Sequence, residues 1–249
     1  MGLDWWLTDS VKDSTLATAM RLNFLVTELR ADTNRAMTLT PRTPENFSKI
    51  FELLRRAQEL EEGYLDWIEN LTDAWLYKTV AWVDAIPDCD LSNSEVYPGR
   101  VDMYPDLNTA AMWNGVRVSR LFLAGIAIRC AAWIVSPIDY RTTPEYASAS
   151  RLGTEMVNDM ITSIPFHLGW SDGQGTCDFK TGGISAFVCG EAYSPVGKVV
   201  GALFISWPLF TIHCSDFTTD AQRRWVVGRL KYMSEIMGLS QASVLSHVC

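Results

Sequence analysis

Near the middle of the chain Trp113, Arg117 and Arg120 follow one another at steps of four and three residues, which returns all three to one face of a helix. A guanidinium beside an indole can bind a carboxylate or polarise a carbonyl. The plainer reading is that Arg117 and Arg120 pair with acidic groups on neighbouring helices and hold the fold. A second group, His167, Trp170, Asp172 and Asp178, opens a glycine-rich stretch, where backbone freedom lets side chains converge and where His and Asp can form an acid–base pair. Against this, Asp172 and Asp178 occupy ordinary turn contexts. His213, Cys214 and Asp216 lie close in sequence, but a nucleophilic set needs geometry rather than adjacency, and they read as capping groups at a helix end.

Other chemistries find less support. No glycine pattern follows a strand to open a helix, so dinucleotide and P-loop arrangements are unsupported. The three histidines and six cysteines include no CxxC pair and no ligand spacing, so neither a metal site, nor a cofactor, nor a disulfide framework is expected. Reduced thiols and an intracellular, cytoplasmic location follow from the same reading. A formal net charge of -8 argues against a surface built to neutralise phosphates, and hence against nucleic acid as a partner. The N-terminus has no basic-then-apolar secretory pattern, and Trp6 stands where a myristoylation signal wants Ser or Thr. The apolar runs at 121–128 and 199–210 are too short to span a bilayer and read as core.

The elements that must position these residues are helical. Ser10 can cap a helix towards Met37, with Leu16, Met20, Phe24, Leu25 and Leu29 spaced to bury one face. Thr43 before Pro44 opens a second helix, carrying Phe47, Ile50, Phe51, Leu54 and Ala57 inward and reaching to about Trp75. Glu59, Glu61 and Glu62 read as its solvated face. The stretch at about 86–105, rich in Pro, Asp and Gly, reads as irregular. Asp106 or Asn108 starts the central helix, apolar nearly all round after Ser119 and ended by Pro137. A further helix ends at Pro165. Seven of the sixteen glycines fall in about 164–198, which marks that segment as irregular and functional or mobile. An apolar helix at roughly 199–213 follows, with strand as the minority reading. Thr218 or Thr219 then caps a helix buried through Val226, Leu230, Met233 and Met237, closed by Gly238 before a short last helix from Ser240. The whole, residues 1–249, reads as one all-α domain. Ten tryptophans imply an aromatic core or an aromatic-lined cavity.

Three pieces in order carry a resemblance: WNGVRVSRLFL at 113–123, NDMITSIPFHLG at 158–169, and the C-terminal stretch from SWPLF through the Arg-Trp helix to GLSQA. Together with a weaker match at LEEGYLDWIENLTDAWLYKTVAW, they resemble the helical C-terminal region of fungal binuclear zinc-cluster transcription factors over about two-thirds of the chain. The resemblance implies an all-α, effector-responsive or inhibitory body and no catalytic residues. Such regulators begin with six closely spaced cysteines and a basic segment, and neither is found in these 249 residues. The Met1 start weighs slightly against a C-terminal piece of a longer regulator.

Two functions follow as expectations. The first is a cofactor-free enzyme of fungal secondary metabolism, performing a cyclisation, a Diels–Alder-type cycloaddition or an isomerisation on a hydrophobic intermediate. It needs little beyond a shaped apolar cavity and one donor on a carbonyl. Trp113, Trp170 and Trp207 would wall an aromatic-lined pocket with Asp172, and Arg117, Arg120 or His167 would be the donor. The second is a non-catalytic regulatory or interaction protein that binds an effector through the same body. Either takes a hydrophobic small molecule, and a homodimer is open to both.

Overall fold

The computed structural model describes residues 15–39, 41–85, 90–170, 176–177, 184–185 and 195–247. Among these the architecture is all-α: α1 (Thr15–Ala36), α2 (Pro44–Glu69), α3 (Leu107–Val135), α4 (Pro144–His167), α5 (Pro195–His213), α6 (Asp220–Glu235) and α7 (Ser240–Leu245). Two antiparallel ladders accompany them, β1 (Lys78–Val83) with β2 (Gly99–Met103), and β3 (Thr176–Cys177) with β4 (Ile184–Ser185). Contacts gather into two compact units, each made of two stretches of chain: Met1–Leu71 with Gly115–Met156, and Thr72–Asn114 with Val157–Cys249.

In the first unit, α1 and α2 pack as a helical pair. The Thr43 hydroxyl accepts the Asn46 amide at 3.3 Å, and Pro44 stands at a first-turn position whose missing N–H is not needed. The helix stops at Glu69, short of Trp75, because Asn70 takes the Asp66 carbonyl with both its backbone and side-chain nitrogens. The buried face of α1 is Ala19, Leu22, Val26, Leu29 and Thr33. Leu16, Met20 and Phe24, expected inside, are 44%, 44% and 45% exposed, and Phe51 of α2 is 53% exposed. Both helices carry more apolar residues than one face can bury, and the buried set on α2 is Ile50, Leu53, Leu54, Ala57, Tyr64 and Trp67 together with Asn46. Tyr64 donates to the Asn23 Oδ1 at 2.7 Å, and the Trp67 indole to the Thr15 carbonyl at 2.9 Å, so the large rings lock the pair polar end included. At the far end, Trp133 of α3 donates to the Leu39 carbonyl at 3.0 Å and packs edge-on against Phe47, with Arg42 over both rings.

α3 is 29 residues long and is the one described helix long and apolar enough to pass as a membrane span, contrary to the reading by short apolar runs. Half of its most apolar window is buried inside the protein, and it buries Asn114, Arg117 and Arg120 besides, which marks it as a core helix.

The second unit contains what the irregular stretch concealed. β1 and β2 pair from Lys78 with Met103 to Val83 with Gly99, with an irregularity between Thr79 and Ala81. Asp102 on β2 is fully buried and accepts from Thr79 at 2.8 Å, Thr162 at 2.7 Å and the Arg100 Nε at 3.0 Å. Arg100 also donates to Asp159 at 2.6 Å, so one carboxylate ties both strands to α4. Asp106 caps α3, accepting the Thr109 amide at 2.7 Å, as expected.

α4 does not end at Pro165 but runs to His167. A proline removes one helical N–H, and here only two residues remain to be held. α5 is a helix from Pro195, which excludes a strand over this run. α6 opens with a reciprocal capping box between Thr219 and Gln222 and buries Val226, Leu230 and Met233, while Met237 lies beyond its end and is half-buried. Gly238, at φ +76°, makes the left-handed turn into α7.

Candidate functional site

The residues expected to do chemistry are placed mostly in packing roles. In the first unit, the Arg120 Nε meets both Glu61 carboxylate oxygens at 3.0 and 3.1 Å while Nη2 meets Oε1 at 2.5 Å. This bidentate pair between α3 and α2 is the structural role weighed above. It also corrects the reading of Glu61, which belongs to no solvated face. Arg117 is 2% exposed.

In the second unit, Trp113 is buried and donates its indole N–H to the Trp75 carbonyl at 2.8 Å. Its ring meets Tyr77 edge-on at 5.1 Å, Tyr77 meets Tyr104 at 5.4 Å, and Tyr104 meets Phe166 at 5.3 Å. This chain of rings is an aromatic core. His167, fully buried, sets Nε2 3.1 Å from the Asn114 side-chain nitrogen, which also donates to the Ser163 hydroxyl at 2.9 Å. Asn114, Ser163 and His167 thus form one buried polar network between α3 and α4 that sequence spacing did not suggest. Its only sequence signal was the WN and SIPFH patterns taken singly. Trp170 is half-buried beyond the end of α4, and its backbone N–H returns to the Pro165 carbonyl at 2.9 Å. Trp207, expected as a pocket wall, is 52% exposed on α5 beside Phe210, their rings 5.4 Å apart. Asp172 and Asp178 lie outside the described residues.

Cys214 is disulfide-bonded. That corrects the all-thiol expectation at this position, since sequence spacing does not report which sulfurs the fold brings together, and it removes the thiolate a Cys–His–Asp set would need. His213 beside it is 5% exposed, and among the described residues neither ring nitrogen has a hydrogen-bond partner. Burial, and secondarily the charge of Arg223, hold its pKa below the ordinary histidine value. The neutral ring is therefore the form the fold accepts, and its contribution is fully present above the unfolded histidine pKa and is lost as pH falls below it. Urea midpoints compared at pH 7 and pH 5 should drop more for the wild type than for His213→Phe; equal drops would contradict the assignment.

A cleft among the described residues lies elsewhere. It lies in the first unit between α2, α3 and α4, with a volume of about 440 Å³. Its floor is aliphatic and small: Leu54, Ala57, Leu123, Ala124, Ala127 and Leu152. Glu61, Glu62, Glu145, Gln58 and Ser148 stand among its lining residues. No aromatic side chain lines it, so the expected aromatic-lined pocket is not this one. Sequence reading missed it because alanines and leucines carry no chemical signature. The one available sign was the small-residue content of α3 and α4.

A protein named transcription factor dbaG, from Emericella nidulans, is 26% identical to this chain over 210 residues, covering 83% of the chain and 46% of that protein. The chain therefore spans about half the length of the curated relative it matches. No family model matches the sequence. No solved structure matches it either.

Proposed function

We propose that the chain is a non-catalytic regulatory body, related to those of fungal transcription factors, that binds a hydrophobic small-molecule effector in the cleft between α2, α3 and α4. The observation that carries this reading is the likeness to a transcription factor along 83% of the chain. The buried side chains support it from the other direction. Arg120 is held by Glu61, and His167 by Asn114, so two of the three groups a cyclisation catalyst would aim at a carbonyl are engaged with the protein instead. A volume of about 440 Å³ falls within the roughly 300–1,000 Å³ of ordinary small-molecule sites. Control of transcription places this activity inside the cell.

The test is a binding screen of hydrophobic small molecules by native mass spectrometry, with each hit recovered and analysed after overnight incubation. The reading expects hits that are recovered chemically unchanged and lost in Ala127→Trp, which fills the cleft from a half-buried position on its floor. A hit converted to a new product would overturn it in favour of the cofactor-free enzyme.

A further inference from the structure

We infer that the ligand of this cleft is an amphipathic cation: an apolar body bearing a protonated amine. The inference rests on the effector reading above and adds the chemical class. The floor supplies only contact surface, through Leu54, Ala57, Leu123, Ala124, Ala127 and Leu152. Selectivity must therefore come from the polar lining, and that lining has one sign. Glu61 is neutralised by Arg120, but Glu62 and Glu145 form no ion pair among the described residues. Among the described residues no Lys, Arg or His lines the cleft.

A carboxylate ligand would bring a third uncompensated negative charge to this lining, whereas an ammonium would pair with charges already present. Glu62 is exposed and Glu145 half-buried, so each pairing contributes at the modest strength of a surface ion pair, and the preference comes from their sum and from the repulsion of an anion. The net charge of -8 acts in the same direction at longer range, drawing cations towards the protein and slowing the approach of anions. The cleft volume suits a single small ligand, with the apolar body on the alanine floor and the amine at the glutamates.

The experiment is a fluorescence titration of the full chain with three probes sharing one apolar ring: dansylcadaverine, which carries an ammonium, dansyl-aminohexanoate, which carries a carboxylate, and neutral dansyl amide. Each is titrated into the wild type, into Glu62→Gln/Glu145→Gln and into Ala127→Trp. The inference expects the amine to bind about tenfold more tightly than the carboxylate. That preference should shrink in high salt, vanish in the double glutamine variant, and disappear with all binding in Ala127→Trp. Because the two glutamates are peripheral to the core, the glutamine variant should fold normally, which circular dichroism checks. Equal binding of all three probes, or a preference that survives both glutamine substitutions, would overturn the cationic class while leaving the effector reading standing. Binding of none of the three would overturn the class as well, and the wider screen would then decide the effector reading.

Discussion

Replacing Asp102 with Ala should destabilise the second unit by about 2–3 kcal/mol, the upper end of what buried hydrogen bonds to a charged group contribute. The carboxylate is fully buried and accepts from Thr79, Thr162 and Arg100 at 2.7 to 3.0 Å. Its loss takes one acceptor from Thr79, Thr162 and Arg100 at once, leaving Thr162 on the Asp159 carbonyl and Arg100 on the Asp159 carboxylate. Against a total stability of about 5–15 kcal/mol for a domain, that is a large share. Asp102→Asn should be nearly as damaging although it keeps the shape, because the amide NH2 faces donors on every side. Urea denaturation of the three proteins checks this. A midpoint for either variant close to that of the wild type would show that the carboxylate does not hold β1, β2 and α4 together.

The second large effect concerns two glycines where backbones touch. A Cβ on Gly228 of α6 would run into the Ser92 carbonyl oxygen, and one on Gly201 of α5 into that of His167. The obstacle in each case is backbone, which cannot rotate away as a side-chain tip can. Gly228→Ala and Gly201→Ala should therefore each cost at least the upper end of the roughly 1–3 kcal/mol typical of overpacking. Gly125 of α3 is the control, because a Cβ there meets nothing within 4 Å. Gly125→Ala should raise stability by about 0.5–1 kcal/mol through helix propensity alone. Thermal melts of the three variants should move in opposite directions on this account. Melting points of Gly228→Ala and Gly201→Ala at or above the wild type would mean that the close approaches are not tight.

What the sequence made legible was local. Thr43 with Pro44, Asp106 (read with Asn108 as the alternative), Thr219 (read with Thr218) and Gly238 mark helix ends through contacts within four residues, whereas the Gln222 half of the capping box was not read. What it hid depends on distant partners. Phe24 and Phe51 belong to apolar stripes as good as the buried ones, and only the packing of α1 on α2 decides between them. β2 was masked by the Pro, Asp and Gly residues around it, and the donors that make a buried Asp102 tolerable include Thr162, supplied from 60 residues away. For the site, Arg117, Arg120 and His167 were visible as chemically able residues, and a pairing role for the arginines was already the plainer choice. Glu61, Arg120's partner 59 residues earlier, was hidden in a run of glutamates that looked like a solvated face. The cleft itself was invisible, because alanines and leucines announce a core and do not say where the core is left open.

The central claim, regulation rather than catalysis, is tested most directly by transcript profiling after deletion of the gene, with wild-type and Ala127→Trp copies returned to the deleted strain. A regulatory body predicts a defined set of transcripts that changes on deletion, recovers with the wild-type copy, and fails to recover with Ala127→Trp. Unchanged transcripts accompanied by loss of one small-molecule product and accumulation of its precursor would contradict the account and identify the chain as an enzyme.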